Sequence, residues 1–356
     1  MNVRVLLILV ALGLMNPASA DHAVILVYHH VSTETPPSTS VTPDRFEQHL
    51  DYLAENDFDV WALDRLLDAL FDATEEVPDN VVAITFDDAY QSVYDEAWPR
   101  LAERDWPFAV FVNTDAVDQG LKPYLTWQRL RELAEHGVLI GNHSASHGHL
   151  LHRLDDEDAR QWEARIRADL EKARDRIADE VGRDAAVLAY PYGEDAGELH
   201  DIVRSLGFRG LTQRSGAVGP DTNPQAIPRF PVATGFDSID RLARAVHSRP
   251  LPVADSETRP ARNQGFVQDP EAVRLSIRPE GFRPGALNCF SGAGERLEMA
   301  VEAGDLLSVR IDVAGRGQPG RNRVNCTAPA ADGSGAFYWF AFQWLQKHPD
   351  GRWPSG

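Results

Sequence analysis

The sequence predicts an α/β domain built on a mainly parallel sheet, open or closed into a barrel, followed by a small all-β sandwich-like domain. Three observations carry this. Short β-rich runs alternate with longer helical patterns from Asp21 to about Ser248, as strand–helix–strand crossovers require. Four polar motifs, YHH, FDD, GNH and YPYG, each close one of those strands. In such folds chemistry collects at the C-terminal strand ends, so the shared placement points to one active site. After residue 266 the pattern becomes strands separated by glycine-rich turns.

The elements follow in order. Arg4, an apolar run from Val5 to Met15 and then Ala18-Ser19-Ala20 have the layout of a cleavable secretory signal over residues 1–20. The run is too short to span a bilayer comfortably, and no cysteine near the cleavage site offers a lipid anchor. Cleavage after Ala20 would leave a periplasmic or secreted protein. AVILVYHHV (23–31) reads as a strand, and RFEQHLDYLAEND (45–57) as a helix opened by Thr42-Pro43-Asp44. VVAITFDDAY (81–90) is a buried strand running into charge, and PFAVFVNT (107–114) is another. TWQRLRELAEHG (126–137) is a helix closed by glycine, VLIGNH (138–143) a strand, and 155–182 holds a long amphipathic helix. AVLAYPYG (186–193) is a strand ending in a turn, and ELHDIVRSLGF (198–208) a helix before the short strand RGLTQ. Residues 21–248 are therefore one domain, the proline-rich 249–266 a linker, and 267–356 a β-sandwich accessory domain.

Composition narrows the function. The 356 residues carry a formal net charge of −19, with 54 acidic against 35 basic side chains. That balance argues against sequence-independent binding of nucleic acid or anionic membranes. An exported chain can form disulfides, and its two cysteines, Cys289 and Cys326, allow a single pairing.

GNHSASHGHL (141–150) gathers three histidines, and His152 follows. His143 and His147 are four apart, a spacing that puts both rings on one face of a helical turn, where they can grip a divalent ion. Asp87-Asp88 follows the apolar run VVAITF, where two carboxylates are costly unless coordinated or hydrogen-bonded. Neighbours on an extended chain point apart, so one can complete a two-His, one-carboxylate metal set while the other takes a proton from water. Asp88 as a helix N-cap is the bland alternative.

ITFDDAY, GNHSASH and AYPYGE, in this order and at these separations, resemble the NodB-homology polysaccharide deacetylases of carbohydrate esterase family four, over roughly residues 23 to 235. The resemblance implies a distorted (β/α) barrel and metal-assisted hydrolysis of an acetyl group on a glycan. It implies Asp87 as general base, and Asp88, His143 and His147 as ligands of a metal, zinc first, with cobalt or nickel as alternatives. It places the oxyanion on the backbone N–H of Tyr192, in the turn Pro191-Tyr192-Gly193. Two positions depart from the family: the arginine usual two residues before the proline is Ala189, with Arg229 a candidate substitute, and no late Leu-x-His motif supplies the acid. VYHHVS resembles the exported poly-N-acetylglucosamine deacetylase subgroup, which makes His29 the acid that protonates the leaving amine. His30 then points to the other side of the strand.

Pro191, Tyr192 and Trp127 are candidate substrate contacts, with Trp98 and Tyr124 as further aromatic platforms. FYWFAFQW (337–344) can line either a glycan-binding face or a sandwich core. The expected function is N-deacetylation of a polysaccharide or oligosaccharide of N-acetylglucosamine type. O-acetyl esterase activity and an inactive glycan-binding homologue are the alternatives.

Overall fold

A computed structural model describes residues 21–259 and 270–354; the expected signal segment lies outside them. Seven strands run in parallel in the order Phe230–Pro231, Val24–Tyr28, Val81–Phe86, Ala109–Val112, Leu139–Asn142, Val187–Ala189, Arg209–Leu211, and Asp59–Val60 adds beside Val81–Phe86. The expected α/β class and distorted barrel are what the chain forms. The seam is made by one short stretch. Ile227 bridges Leu211 on the last strand, and Phe230 then pairs with Leu26 on the first.

Strand alternation sorts the side chains into two layers. Val82, Ile84 and Phe86 face the outer helices with Phe46, Leu50 and Leu53 of the helix Pro43–Glu55. Ala83, Ala109, Phe111 and Ala189 point into the barrel, whose lower end is plugged by Leu66, Leu67 and Leu70 of the helix Leu63–Asp72. Asp87 continues the inward series of Ala83 and Thr85, so a period of two delivers its carboxylate to the barrel mouth. Among the described residues no helix is long and apolar enough to cross a membrane.

The C-terminal region stacks two four-stranded sheets. One contains Arg249–Pro250, Phe337–Gln346, Gly320–Pro329 and Asn288–Ser291; the other contains Val253–Arg259, Ala272–Ile277, Leu307–Asp312 and Met299–Glu302. One sequence expectation is corrected here. Of the expected linker, Arg249–Pro250 and Val253–Arg259 are strands, while 260–269 lie outside the described residues. Val253–Arg259 is an edge strand, and over Val253–Glu257 its side chains do not alternate in burial, so it leaves no apolar period to read. Of the two uses the aromatic run allowed, it takes the sandwich core. Phe342 and Trp344 fill the sandwich core, whereas Trp339 and Leu345 from the opposite face pack against the barrel domain.

Cys289 and Cys326 form a disulfide between directly paired strands, across a sequence separation of 37. A loop of that length corresponds to about 4 kcal/mol of unfolded-state restriction. Reduction is therefore expected to lower the melting temperature of the sandwich, read by near-ultraviolet circular dichroism with and without dithiothreitol. An unchanged melting curve would show that the bridge adds no stability.

Candidate active site

The strand ends bring Asp87, Asp88, His143, His147, His29 and the 190–195 turn to one mouth of the barrel. Asp87 is fully buried and held by a two-pronged ion pair: Arg229 Nη1 to Oδ1 at 2.7 Å and Nη2 to Oδ2 at 2.8 Å. Arg229 is buried too; it also donates to Thr85 Oγ1 (3.1 Å) and to the Thr212 carbonyl (2.9 Å). Burial raises the Asp87 carboxyl, but Arg229, with His143 and His29, outweighs it and holds the group below the ordinary carboxylate value. The arginine absent at Ala189 is thus supplied by the seam segment. Ala189 contributes its carbonyl, which accepts from His143 Nδ1 at 2.7 Å.

That bond fixes the His143 tautomer and leaves Nε2 facing Asp88. Asp88 Oδ1 is 3.3 Å from His143 Nε2 and 3.0 Å from His147 Nε2, with no conventional hydrogen-bond donor of its own. A buried carboxylate oxygen between two imidazole nitrogens is the donor set of a three-ligand divalent cation site with room for water. The residues fit the metal that the sequence implied. Burial raises Asp88, yet the two histidines hold it well below the usual range.

The histidines do not converge by helical spacing. Residues 143–149 form a loop in which Ser144 (φ 61°) and His147 (φ 53°) are left-handed. Asn142 Oδ1 accepts from the Ser144 N–H at 2.8 Å, and Ser144 Oγ accepts from the His147 N–H at 2.9 Å. These side-chain turns, rather than 3.6-residue periodicity, bring the rings together. Gly141, just before, is required by a close approach: a Cβ there would sit 2.4 Å from the Phe111 ring. Asp88 caps no helix. It and Ala89 are left-handed (φ 71° and 56°), a strained pair at the edge of the site.

His29 faces the same mouth, and burial lowers its imidazole despite the pull of Asp87 and Asp88. Gln213, unmarked in the sequence, spans the two expected proton carriers, its Nε2 3.4 Å from His29 Nε2 and 3.3 Å from Asp87 Oδ2. His30 lies on the other side of the strand, stacked on Tyr90 with centroids 3.6 Å apart; Tyr90 in turn stacks on Tyr124. Pro191 and Gly193 are buried around Tyr192, which is left-handed (φ 58°) and 40% exposed. The turn's backbone bonds run from Gly193 N to Tyr190 O and from Glu194 N to Pro191 O, leaving the Tyr192 N–H out of them. The Tyr192 ring stacks on His149 at 3.9 Å, and His149 Nδ1 lies 3.0 Å from the buried Glu194. His152 approaches the same carboxylate, at 3.6 Å.

Trp127 is not brought to the site as a sugar platform. Its Nε1 donates to Asp118 at 2.7 Å, and Arg176 covers its ring at 5.0 Å. Trp98 packs on Tyr94 and His136. His200 is held by Asp195 at 2.8 Å.

Comparison with known proteins follows the same outline. Residues 74–211 match the family model described as polysaccharide deacetylase. The Bacillus subtilis protein YxkH, named as a polysaccharide deacetylase, is 26% identical over 213 residues, 60% of this chain and 72% of its own. The poly-beta-1,6-N-acetyl-D-glucosamine N-deacetylase of Staphylococcus aureus (strain N315) is 25% identical over 223 residues, 61% of this chain and 76% of its own. In fold, the chain resembles the Streptococcus pyogenes deacetylase PplD in complex with acetate, with a TM-score of 0.56 and 22% identity over 63% of this chain and 98% of that one. IcaB from Ammonifex degensii aligns with a TM-score of 0.55 and 24% identity over 63% of this chain and 96% of that one.

Because the Asp87–Arg229 pair is fully buried, Arg229→Met is expected to cost about 3–5 kcal/mol by stranding the carboxylate. The depressed folded value makes the pair's contribution complete above the unfolded carboxylate value of about 3.9 and lost as pH falls through the folded one. The gap between wild type and variant in urea midpoint should therefore narrow below about pH 4. A gap independent of pH would mean that Asp87 is not the group stranded.

Proposed function

Since the chain carries a polysaccharide deacetylase domain, we propose that it hydrolyses N-acetyl groups on a polymer of N-acetylglucosamine type, releasing acetate with the help of a divalent metal. One observation carries this reading: Asp88, His143 and His147 converge on one point beside a second carboxylate locked ionised by Arg229. A lone metal set binds; a metal set with an adjacent, separately held base can hydrolyse. The names of the Staphylococcus aureus relatives support poly-β-1,6-N-acetylglucosamine as the first substrate to test.

Asp88, His143 and His147 would hold the metal, zinc, cobalt or nickel by ligand type, which supplies Lewis-acid polarisation and charge stabilisation. Arg229 aims Asp87 and keeps it from pairing with the ligands, so its carboxylate is free to take a proton from the hydrolytic water. The Tyr192 N–H donates to the developing oxyanion. His29, made neutral at rest by burial, passes a proton to the departing amine, so that proton must arrive during the cycle. Gln213 sits between base and acid and fixes their separation. Pro191 and the exposed Tyr192 ring form the sugar-facing wall. The Cys289–Cys326 bridge supports a periplasmic or secreted location, reached after removal of the N-terminal signal.

Acetate release from poly-β-1,6-N-acetylglucosamine oligomers is expected to vanish with a chelator and return with zinc, cobalt or nickel. Asp87→Asn should keep its metal, measured by mass spectrometry, and lose at least about a hundredfold in kcat. His143→Ala should lose the metal itself. Turnover by Asp87→Asn near the wild-type rate would sink the assignment of the base.

A further inference from the structure

We infer that the C-terminal sandwich is part of the catalytic apparatus, with Arg321 and Gln343 as positioning residues that set the turn carrying the Tyr192 N–H. The inference rests on the proposed deacetylase reading and extends it to a domain that no catalytic motif reaches.

Two consecutive residues of the turn are left-handed, Tyr192 at φ 58° and Gly193 at φ 64°. A non-glycine residue in that region is held at a cost of about 1–3 kcal/mol and stays there only when its surroundings over-determine it. The surroundings here come largely from the sandwich. Arg321, on the strand Gly320–Pro329, donates from Nη1 to the Tyr192 carbonyl. Gln343, on the adjoining strand Phe337–Gln346, donates to the Gly193 carbonyl at 2.9 Å and to Asp195 Oδ1. Asp195 is locked from its other oxygen by His200 (2.8 Å) and Arg214 (3.1 Å), and Arg214 reaches back to the Ala341 carbonyl at 3.4 Å.

The approach is close as well as polar. A Cβ on Gly193 would meet Arg321 Nη1 at 2.7 Å and Gln213 Cβ at 2.6 Å. The turn is therefore squeezed between the sandwich and the side chain that spans Asp87 and His29. A third tie comes through rings. Tyr192 stacks on His149, His149 on His152 at 4.2 Å, and His152 on Trp353 at 4.0 Å, near the end of the described chain.

Successive carbonyls of the turn thus point into the sandwich while the Tyr192 N–H stays out of the turn's own hydrogen bonds. An oxyanion donor works only where its N–H is aimed before the reaction, because small displacements from the developing charge carry large rate penalties. Arg321 and Gln343 do that aiming from outside the barrel.

The test uses the full-length chain. Arg321→Ala and Gln343→Ala are each expected to lower kcat for acetate release about tenfold while KM and bound metal stay within twofold. Arg321→Lys, which keeps one donor, should recover most of the loss. Hydrogen–deuterium exchange of metal-free protein gives a readout independent of turnover: peptides covering 190–195 should exchange faster in both alanine variants, and peptides covering 81–88 should not. Alanine variants with kcat within twofold of wild type, or with 190–195 protected as before, would overturn the inference. So would a parallel loss of metal and KM, the mark of a merely structural role. Wild-type protein releasing no acetate with any metal would instead bring down the function proposed above, and this inference with it.

Discussion

Everything at the barrel mouth depends on the buried ion pair between Asp87 and Arg229. Two charges at zero exposure are expensive, and they persist because the geometry is two-pronged and two more guanidinium protons reach Thr85 Oγ1 and the Thr212 carbonyl. The pair solves a problem of identity as well as stability. Asp87 and Asp88 are adjacent carboxylates that have to behave differently within a few ångströms. Arg229 claims one completely, and two imidazoles face the other. Without that partition the two adjacent carboxylates would share one environment and one behaviour.

Local backbone geometry does the rest. Asp88, Ala89, Ser144, His147 and Tyr192 are all non-glycine residues in the left-handed region, and all lie within the three motifs that build the site. Three of them are tied down by side chains: Ser144 by Asn142, His147 by Ser144, Tyr192 by its packing against His149 and the sandwich. Strained residues held in place by the framework around them suit a preorganised site.

The legible part of the chain was what obeys a period. Alternation sent Asp87 and Asp88 apart and separated His29 from His30. The strand-end motifs located the mouth of the barrel, and Arg229 could be nominated once Ala189 was seen to lack a guanidinium. What the sequence hid was whatever depends on aperiodic turns or distant partners. His143 and His147 have helical spacing without a helix, because two side-chain turns mimic its effect. Gln213 carries no motif, and Glu194 closes AYPYGE without a role there; they matter because folding sets them between Asp87 and His29 and beside His149. Trp127 looked available because a sequence cannot show that Arg176 already covers its ring. Val253–Arg259 passed for linker because an edge strand needs no apolar face, and the strand Phe337–Gln346 resisted a one-sided reading because both of its faces are buried, one in each domain.

The seam of the barrel has a consequence for the order in which the chain can become native. Val24–Tyr28 lies near the start of the described chain, yet one of its two neighbours, Phe230–Pro231, comes roughly two hundred residues later. The guanidinium that neutralises Asp87 arrives on that same late segment. Any compact intermediate that buries Asp87 sooner holds an uncompensated carboxylate, a state penalised by several kcal/mol relative to one that leaves it wet. The buried carboxylate thereby acts as a brake on premature closure. A polypeptide emerging residue by residue lacks that partner until nearly all of the domain is present.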